Sequence, residues 1–293
     1  MPILTIDIGG SEIKSALYSR EGQCLQEFPA QVSAISADNN QIEAQILAIC
    51  QAVQAEHDVQ GVAISSSAVI NPHTGRIEFA GPTIPNYTGT NLKTAVEQHC
   101  RLPCSIENDV NAMALGEAWL GAAKGRSSAF CLTLGTGLGG AILIDGKLWH
   151  GANYTAGEIG QMPLAQGKRV EEIVSTTALL QHYQEQSGEK INGREFFHRL
   201  KQGEAQAEAS FQELMEQLAQ SLMPIIFLFA PQAIIVGGGI SAQREYIEPR
   251  LKAAIAKRLP PYFMPRHISC ATLGNAANML GALRWFLDSE NKG

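Results

Sequence analysis

The sequence lacks the features of a membrane-spanning, secreted or nucleic-acid-binding protein. Its longest apolar stretch, from Leu222 to Ala230, is too short to cross a bilayer and is interrupted by Pro224. The N-terminus has no basic region before its short apolar run, so a signal peptide is not indicated. A net charge of −6 disfavours a nucleic-acid partner, because phosphate binding needs a basic face. We therefore expect a cytoplasmic protein without membrane or nucleic-acid partners.

Paired cysteines are also missing. None of the six cysteines belongs to a Cys-x-x-Cys pair, and the Cys100/Cys104 spacing has no second pair of cysteines or histidines nearby to complete a zinc site. Reduced, partly buried thiols are the simpler interpretation. What the chain does contain is 45% hydrophobic and 17% charged residues over 293 positions, which predicts a folded protein of one large or two ordinary domains.

A strand, a glycine-rich turn and a second strand open each half of the chain. Ile3 to Ile8 runs into Gly9-Gly10, and Ala129 to Leu134 runs into Gly135-Thr136-Gly137. Mixed strands and helices follow in both halves. Helical patterns are predicted for Val110 to Leu120, Val170 to His182, Ala205 to Phe229 and Asn275 to Leu287. We predict two α/β domains facing each other across a cleft: residues 1–115, joined by helix 275–293, and residues 116–274.

The first glycine turn, Asp7 to Ser11, has the chemistry of a phosphate site. Glycines let the backbone approach a phosphate closely, and successive amide groups form an anion-binding concavity. Asp7 at the strand end is placed to orient Mg²⁺ or its water shell, Ser11 adds a hydroxyl group, and Lys14 is a nearby cation. A plain hairpin turn is the alternative, and this segment alone does not decide between the two.

Two further glycine strings extend this pattern. The string Gly135 to Gly140 precedes a strand rather than a helix, which counts against a Rossmann dinucleotide site and suits a phosphate clamp in a β-hairpin. Gly237, Gly238 and Gly239 end a predicted buried strand, where a flat adenine and its ribose can lie against the backbone. A tight strand-to-helix turn is the alternative for that segment.

An Asn108-Asp109 pair follows a short predicted strand and precedes a helix. Both residue types are good N-caps, so a purely structural role is one interpretation. In the other, Asp109 accepts the proton of a sugar hydroxyl that attacks the γ-phosphate of ATP, and Asn108 binds a neighbouring hydroxyl. Asn86 and Glu158 stand beside turn residues and offer planar polar groups of the kind that recognise sugars, although such groups are often ordinary loop residues.

Together these segments resemble the ROK family of bacterial sugar kinases and sugar-responsive repressors, from Leu4 to Ala282. The matching strings are DIGGSEIK from Asp7, IPNYTG from Ile84, ENDVNAMALGE from Glu107, LTLGTGLGGAILIDGKLWHG from Leu132, AGEIG from Ala156 and IIVGGGIS from Ile234. The order and spacing of these strings together are specific for the family, whereas no single string is. The resemblance implies an actin-like ATPase fold of the ribonuclease H-like type, shared with hexokinase and the heat-shock ATPases.

The resemblance also implies residue roles. It makes Asp7 to Ser11 and Gly135 to Gly139 the phosphate-binding turns, Gly237 to Gly239 the lining of the adenosine pocket, and Asp109 the general base. The residues that it assigns to the sugar are Asn86, Asn108, Glu158, Gln161 and Glu171, with Gln161 at an altered contact.

Three departures from the family pattern bear on function. Many members have a histidine after GEIG and then a CxCGxxGCxE zinc cluster, but Gln161 replaces the histidine here and residues 162–170 contain no cysteine. We therefore predict no structural zinc, and the sugar's identity stays open. Ser67 stands where many members have a glycine beside the sugar. No winged-helix segment precedes Met1, so we do not expect the repressor branch.

We predict an enzyme that uses ATP and Mg²⁺ to phosphorylate a hydroxyl group, at C6, of a hexose or hexose derivative. Glucose, a β-glucoside and N-acetylmannosamine are all compatible substrates. A non-catalytic, sugar-sensing regulator of the same family and a nucleotide hydrolase of the same fold are the alternatives. Because two-fold dimers are the commonest oligomers, we expect a homodimer.

Overall fold

The computed structural model describes residues 2–164 and 167–290, which form two compact units. The first comprises residues 2–121, 150–155 and 275–290, and the second comprises residues 122–149, 156–164 and 167–274. Each unit has its own hydrophobic core. The boundary predicted near residue 115 falls inside a helix, whereas this division follows the end of that helix. Nothing in the sequence pattern indicated the short excursion of residues 150–155.

The sheet of the first unit joins an antiparallel meander to two parallel strands. Its path is β3 (Cys24–Glu27), β2 (Glu12–Tyr18), β1 (Ile3–Ile8), β5 (Val62–Ser66) and β8 (Cys104–Asn108), with β4 (Gln31–Val32) paired to β2. A separate hairpin consists of β6 (Val69–Asn71) and β7 (Arg76–Phe79). Since β1, β5 and β8 are parallel, their carboxyl ends meet at one edge of the sheet.

The sheet of the second unit repeats this path. Its order is β11 (Lys147–Leu148), β10 (Leu138–Ile144), β9 (Ser128–Leu134), β12 (Ala233–Gly237) and β13 (His267–Cys270). The first three strands are antiparallel, and β9, β12 and β13 are parallel. The repetition indicated by the two glycine turns is therefore present in the strand order of both sheets.

Eight α-helices accompany these sheets among the described residues. In the first unit they are α1 (Ile42–Glu56), α2 (Leu92–His99), α3 (Asp109–Leu120) and α8 (Ala277–Glu290). In the second unit they are α4 (Thr176–Ser187), α5 (Gly193–Lys201), α6 (Ala205–Phe229) and α7 (Arg244–Ala256). Within the described part of the chain, no helix has both the length and the apolar character of a membrane span. All six cysteines are free thiols, and all but Cys24 are buried.

The predicted helix from Val170 to His182 is wrong at its start. Residues 170–172 form a separate 3₁₀ turn, and α4 begins only after Ser175. The Ser175 side chain accepts a hydrogen bond from the amide of Ala178, at 3.1 Å, and so caps α4. This interruption places Glu171 on the turn that precedes the helix.

Helices α3 and α8 pack too closely to admit side chains at their crossing. A Cβ atom on Gly281 would overlap the carbonyl oxygen of Ala112, and one on Gly116 would overlap the carbonyl oxygen of Ala277. The two glycines thus let the C-terminal helix lie directly on the helix that begins at Asp109.

We expect Gly281→Ala to lower the free energy of unfolding by about 1–3 kcal/mol, because one helix must shift to relieve the overlap. Chemical denaturation measures the change. Gly81→Ala is the matched control, since nothing lies within 4 Å of a Cβ atom there, and it should change stability by less than about 0.5 kcal/mol. Equal losses in the two variants would contradict the close packing of α3 and α8.

Candidate active site

Three parallel strands of the first unit end in polar residues at one edge of its sheet. Asp7 on β1 is paired with Ser65 on β5, and Ser66 is paired with Asn108 at the end of β8. Because α3 begins immediately after β8, Asp109 is carried at the same edge. The carboxyl ends of parallel strands are where open α/β sheets bind ligands.

The turn from β8 to α3 uses Asn108 as the helix cap and leaves Asp109 as a separate carboxylate. The Oδ1 atom of Asn108 accepts hydrogen bonds from the amides of Val110 and Asn111, at 2.9 and 3.0 Å. Its Nδ2 atom donates to the carbonyl of Ala68 and to Asp109 Oδ1, both at 3.0 Å. These four bonds saturate the Asn108 amide. Asn108 therefore positions Asp109, and a direct sugar contact by Asn108 requires one of these bonds to open.

Asp109 has the electrostatic environment of a base. Burial, together with the negative charge of Asp7, raises the pKa of Asp109 from 3.8 to about 6, against the opposing effect of hydrogen bonds from Val110 and Ser67. A carboxyl group with a pKa near 6 is mostly ionised at pH 7, yet it holds a proton more readily than an ordinary aspartate does. The group is therefore suited to accept a proton from a hydroxyl.

Asp7 is held from two sides. Its Oδ1 atom accepts hydrogen bonds from Ser65 Oγ, at 2.9 Å, and from Asn278 Nδ2 on α8, at 3.1 Å. Burial raises the pKa of Asp7, and these two bonds partly oppose the rise. Lys14 faces Asp7 across the β1–β2 ladder, with its Nζ atom 3.0 Å from Glu12 Oε1. The Asp7 carboxylate is desolvated, and both of these hydrogen bonds go to its Oδ1 atom. Such a carboxylate suits Mg²⁺, which prefers oxygen ligands.

A buried pair, Glu107 and His150, adjoins Asn108. The side chain of Glu107 is fully buried, and its Oε1 atom accepts hydrogen bonds from the Asn108 amide, at 2.9 Å, and from Asn111 Nδ2, at 3.0 Å. Its Oε2 atom is hydrogen-bonded to His150 Nε2 at 2.8 Å, and the His150 ring packs edge-on against Trp285. The excursion of residues 150–155 is thereby anchored at the end of β8.

The loop that carries Asn86 is tied to the same edge of the sheet. Asn86 is exposed and has a φ of 54°, in the left-handed region that asparagine tolerates, and its Nδ2 atom donates to the carbonyl of Asp38 at 2.7 Å. The next residue, Tyr87, is fully buried, and its hydroxyl lies 3.0 Å from Ser66 Oγ at the end of β5. The structure thus anchors the residue next to Asn86 at the strand end that neighbours Asn108, whereas the Asn86 side chain itself contacts Asp38.

The first glycine turn is fastened through its carbonyl groups. Ser33 Oγ donates to the carbonyl of Gly9 at 2.7 Å, and the Ser33 amide donates to the carbonyl of Ser11 at 3.0 Å. A Cβ atom on Gly10 would overlap the side chain of Thr83, which would have to move to admit one. The turn is held in one conformation with Ser11 exposed.

The second glycine turn, between β9 and β10, is fastened by the start of α4. The Thr176 amide donates to the carbonyl of Gly135 at 2.8 Å, and Thr177 Oγ1 donates to the carbonyl of Thr136 at 3.0 Å. A cavity of about 780 Å³ opens at Thr136 and runs along α4. Both glycine turns are therefore held by bonds to their carbonyl oxygens.

The third glycine string packs against the second turn. Gly237 is the buried last residue of β12, whereas Gly238 and Gly239 are exposed. Gly238 has a φ of 83°, and a Cβ atom there would overlap the carbonyl of Leu134, the residue that precedes the second turn. Gly139, which was predicted to belong to the second phosphate-binding turn, instead lies on β10 and is paired with Thr133 on β9. The structure therefore brings the last two glycines of the third string beside the turn.

A side-chain network links two of the three predicted sugar-binding residues of the second unit, Gln161 and Glu171. Gln161 Nε2 donates to Glu171 Oε1 at 3.1 Å, and Arg169 Nη1 lies 3.0 Å from both Gln161 Oε1 and Glu171 Oε1. Arg169 Nε also donates to Glu172 at 2.9 Å. Glu158 is half-buried and begins the 3₁₀ turn that ends at Gln161. Sequence reasoning missed Arg169, although it stands two residues before Glu171, where the family string has its last cysteine.

Across residues 2–164 and 167–290, no three or more histidine, cysteine, aspartate or glutamate side chains are grouped to hold a metal ion.

Sequence reasoning also missed the residues that hold the two aspartates, namely Ser65 and Asn278 at Asp7 and Ser67 at Asp109. Only Ser67 had drawn notice, as a departure from the family glycine. The other two contacts join strands or helices that are distant in the sequence.

Comparisons with known proteins agree with this geometry. The profile of the ROK family matches residues 3–289. A β-glucoside kinase of Listeria monocytogenes is 33% identical over 100% of this chain and 99% of its own. The structure of a Streptomyces griseus ROK glucokinase with glucose and AMPPNP aligns with a TM-score of 0.85 at 28% identity, over 100% of both chains. The structure of a Streptococcus pneumoniae ROK protein in complex with sucrose aligns with a TM-score of 0.86 at 29% identity, also over 100% of both chains.

The repeated strand order, the glycine turn that opens each sheet and these structural matches define an actin-like ATPase fold, as predicted. Within that fold, the chain belongs to the ROK family, which confirms the resemblance seen in its motifs.

The raised pKa of Asp109 makes a prediction about stability. Asp109 ionises near pH 3.8 in the unfolded chain and near pH 6 in the folded chain. Its ionisation therefore lowers the free energy of unfolding progressively between these two pH values and by a constant amount above pH 6. We expect Asp109→Asn to be more thermally stable than the unsubstituted protein above pH 6, with the difference vanishing below pH 3.8. Thermal unfolding across this pH range measures it, and a difference that does not change with pH would contradict the raised pKa.

Proposed function

We propose that the protein transfers the γ-phosphate of ATP to the 6-hydroxyl group of the glucose unit of a β-glucoside. Asp109 carries this proposal, because it combines a pKa of about 6 with a fixed orientation beside Asp7 at the carboxyl edge of the sheet. A sugar-binding protein does not need a base at this position, whereas an enzyme that transfers a phosphate to a hydroxyl group does.

The enzyme class rests on the family and its relatives. The chain is an ATP-dependent carbohydrate kinase, as its sequence predicted, and the AMPPNP complex of the Streptomyces griseus glucokinase supports the use of ATP. The choice of a β-glucoside is supported by 33% identity with the Listeria kinase, against 29% with a glucokinase of Streptomyces coelicolor. Gln161, in place of the family histidine, fits an altered sugar contact.

In the proposed reaction, Asp109 accepts the proton of the attacking hydroxyl while Asn108 holds the carboxylate in place. The two glycine turns bind the phosphates, and the cavity along α4 with Gly238 and Gly239 receives the nucleoside. Asp7 would hold Mg²⁺ directly or through water, and the bound ion would neutralise phosphate charge. The proposed sugar contacts are Asn86, Asn108, Glu158, Gln161 and Glu171. We propose the cytoplasm as the location, where ATP is available and free thiols persist.

A coupled ADP-release assay tests the proposal on a panel of a β-glucoside, the matching α-glucoside, glucose and N-acetylmannosamine. We expect the highest kcat/KM with the β-glucoside and a product phosphorylated at C6, as seen by ³¹P NMR. ADP release without sugar would support a hydrolase instead, and sugar binding without ADP release would support a regulator. A preference for glucose would correct the substrate alone.

We expect Asp109→Asn to lower kcat by about 10²–10⁴-fold, because the variant cannot accept a proton. Its affinity for the sugar should stay within about tenfold of the unsubstituted protein, since the amide keeps the size and the hydrogen-bonding positions of the carboxylate. Steady-state kinetics and calorimetric titration measure the two quantities. Equal losses of turnover and sugar affinity would show that Asp109 is structural.

Arg169→Ala tests sugar recognition by Gln161 and Glu171. Loss of the guanidinium leaves the bond from Gln161 to Glu171 but removes the one that Gln161 Oε1 accepts. We expect the KM for sugar to rise about fivefold, which corresponds to about 1 kcal/mol for an exposed charged contact. Arg169→Lys keeps the positive charge but loses the forked guanidinium, so its KM for sugar should lie between those of Arg169→Ala and the unsubstituted protein. Lys168→Ala, at the neighbouring exposed cation, is the control and should leave this KM unchanged. A rise confined to the KM for ATP would contradict this role of Arg169.

A further inference from the structure

Glu107 is an acidic side chain that the protein buries completely, one residue before the cap of α3. Both of its carboxylate oxygens are hydrogen-bonded. Oε1 accepts from the backbone amide of Asn108 and from Asn111 Nδ2, at 2.9 and 3.0 Å, and Oε2 accepts from His150 Nε2 at 2.8 Å. A buried carboxylate is costly unless its oxygens are paired, so the loss of any one of these bonds would disturb the position of Glu107.

Two of the three bonds tie Glu107 to both ends of the turn that carries Asp109. One bond goes to Asn108, directly before Asp109, and the other goes to Asn111 in the first turn of α3. The Asn111 amide donates in turn to Asn108 Oδ1 at 3.0 Å, and Asn108 Nδ2 donates to Asp109 Oδ1 at 3.0 Å. A displacement of Glu107 would therefore move the whole turn together with the carboxylate of Asp109.

The third bond, from His150, comes from outside this turn. The amides of Asn108 and Asn111 belong to the turn and would follow it if it moved, whereas His150 stands 43 residues away in the chain. Its ring is only 13% exposed and packs edge-on against Trp285, with the ring centroids 5.4 Å apart, and against Tyr154, at 6.5 Å. His150 thus fixes Glu107 relative to the rest of the first unit.

Helix α8 supports both acidic groups at this edge of the sheet. Asp7 and Glu107 stand at the same level on β1 and β8, because one residue of β5 is paired with both. Asn278 on α8 bonds Asp7, and Trp285 on α8 packs against His150. These two helix residues are seven positions, or about two turns, apart and so share one face of α8.

We propose that His150 is a positioning residue for the transfer reaction, which holds Asp109 through Glu107 and Asn108 in the orientation that accepts the proton of the attacking hydroxyl. This role rests on the proposed kinase function, because Asp109 is a base only in that function. Phosphoryl transfer depends mainly on alignment, so a displaced base lowers kcat more than it lowers the affinity for the sugar.

Two substitutions separate the bond of His150 from its ring. His150→Phe keeps a ring against Trp285 but cannot donate to Glu107, and we expect kcat to fall about tenfold with sugar affinity within about twofold. His150→Gln loses the ring but keeps an N–H donor, and it should retain most of kcat. His73→Phe alters a second histidine ring beside Trp285, on an exposed turn, and is the control with unchanged kcat.

The Asp109→Asn variant tests whether His150 acts through the base. Transfer that remains in this variant does not use a carboxylate at position 109, so adding His150→Phe should lower kcat less than about twofold further. A tenfold loss in both backgrounds would overturn the proposal, because it would show a general structural role. Equal losses in His150→Phe and His150→Gln would also overturn it, and so would a higher KM with unchanged kcat.

Hydrogen exchange tests the positioning role without turnover. The Val110 and Asn111 amides donate to Asn108 Oδ1, and we expect them to exchange about tenfold faster in His150→Phe than in His150→Gln or the unsubstituted protein. This pattern in a protein without kinase activity would contradict the proposed function and still support the hold of His150 on the turn. Unchanged exchange in His150→Phe would overturn that hold. If circular dichroism shows that His150→Phe is unfolded, His150→Met replaces it with the same expectations.

Discussion

The hydrogen bond from Asn108 to Asp109 is the contact on which the candidate active site depends. Strand β8 passes into α3 without a loop, so the residue that caps the helix and the residue that we propose as base are neighbours in the chain. Asn108 uses its oxygen for the cap and its nitrogen for the carboxylate. Glu107 holds the Asn108 amide from behind. Strand, cap and base are thus aligned by three consecutive residues.

This arrangement joins two interpretations that compete at the level of sequence. An Asn-Asp pair before a helix indicates either a cap or a functional carboxylate, and here Asn108 provides the cap while Asp109 has the proposed functional role. The division has an energetic consequence, since a carboxylate near Asp7 is ionised against desolvation and like charge. Contacts elsewhere offset that cost, among them the close packing of α8 on α3 and the bond from Asn278 to Asp7.

The second unit shows how a departure from the family pattern is accommodated. Gln161 and Glu171 are linked by hydrogen bonds to each other and to Arg169, whose guanidinium fork reaches both. Backbone bonds from Val170 to Met162, at 3.0 Å, and from Leu164 to Lys168, at 2.7 Å, hold the ends of this segment together. Charge and amide groups thus orient two side chains that the proposed function assigns to the sugar.

The sequence by itself determined the features that depend on local pattern. The strand–glycine–strand openings, the bounds of α6 and the family motifs were all predictable, because alternating and helical periodicities and glycine turns are local properties. It failed at the start of α4, where the Ser175 cap and a 3₁₀ turn interrupt a helical periodicity. Only the tertiary structure decided that Asn278 reaches Asp7 across 271 residues and that His150 reaches Glu107 across 43. Such contacts, and the burial that raises the pKa of Asp109, arise when strands and helices pack, and no local pattern of residues encodes that packing.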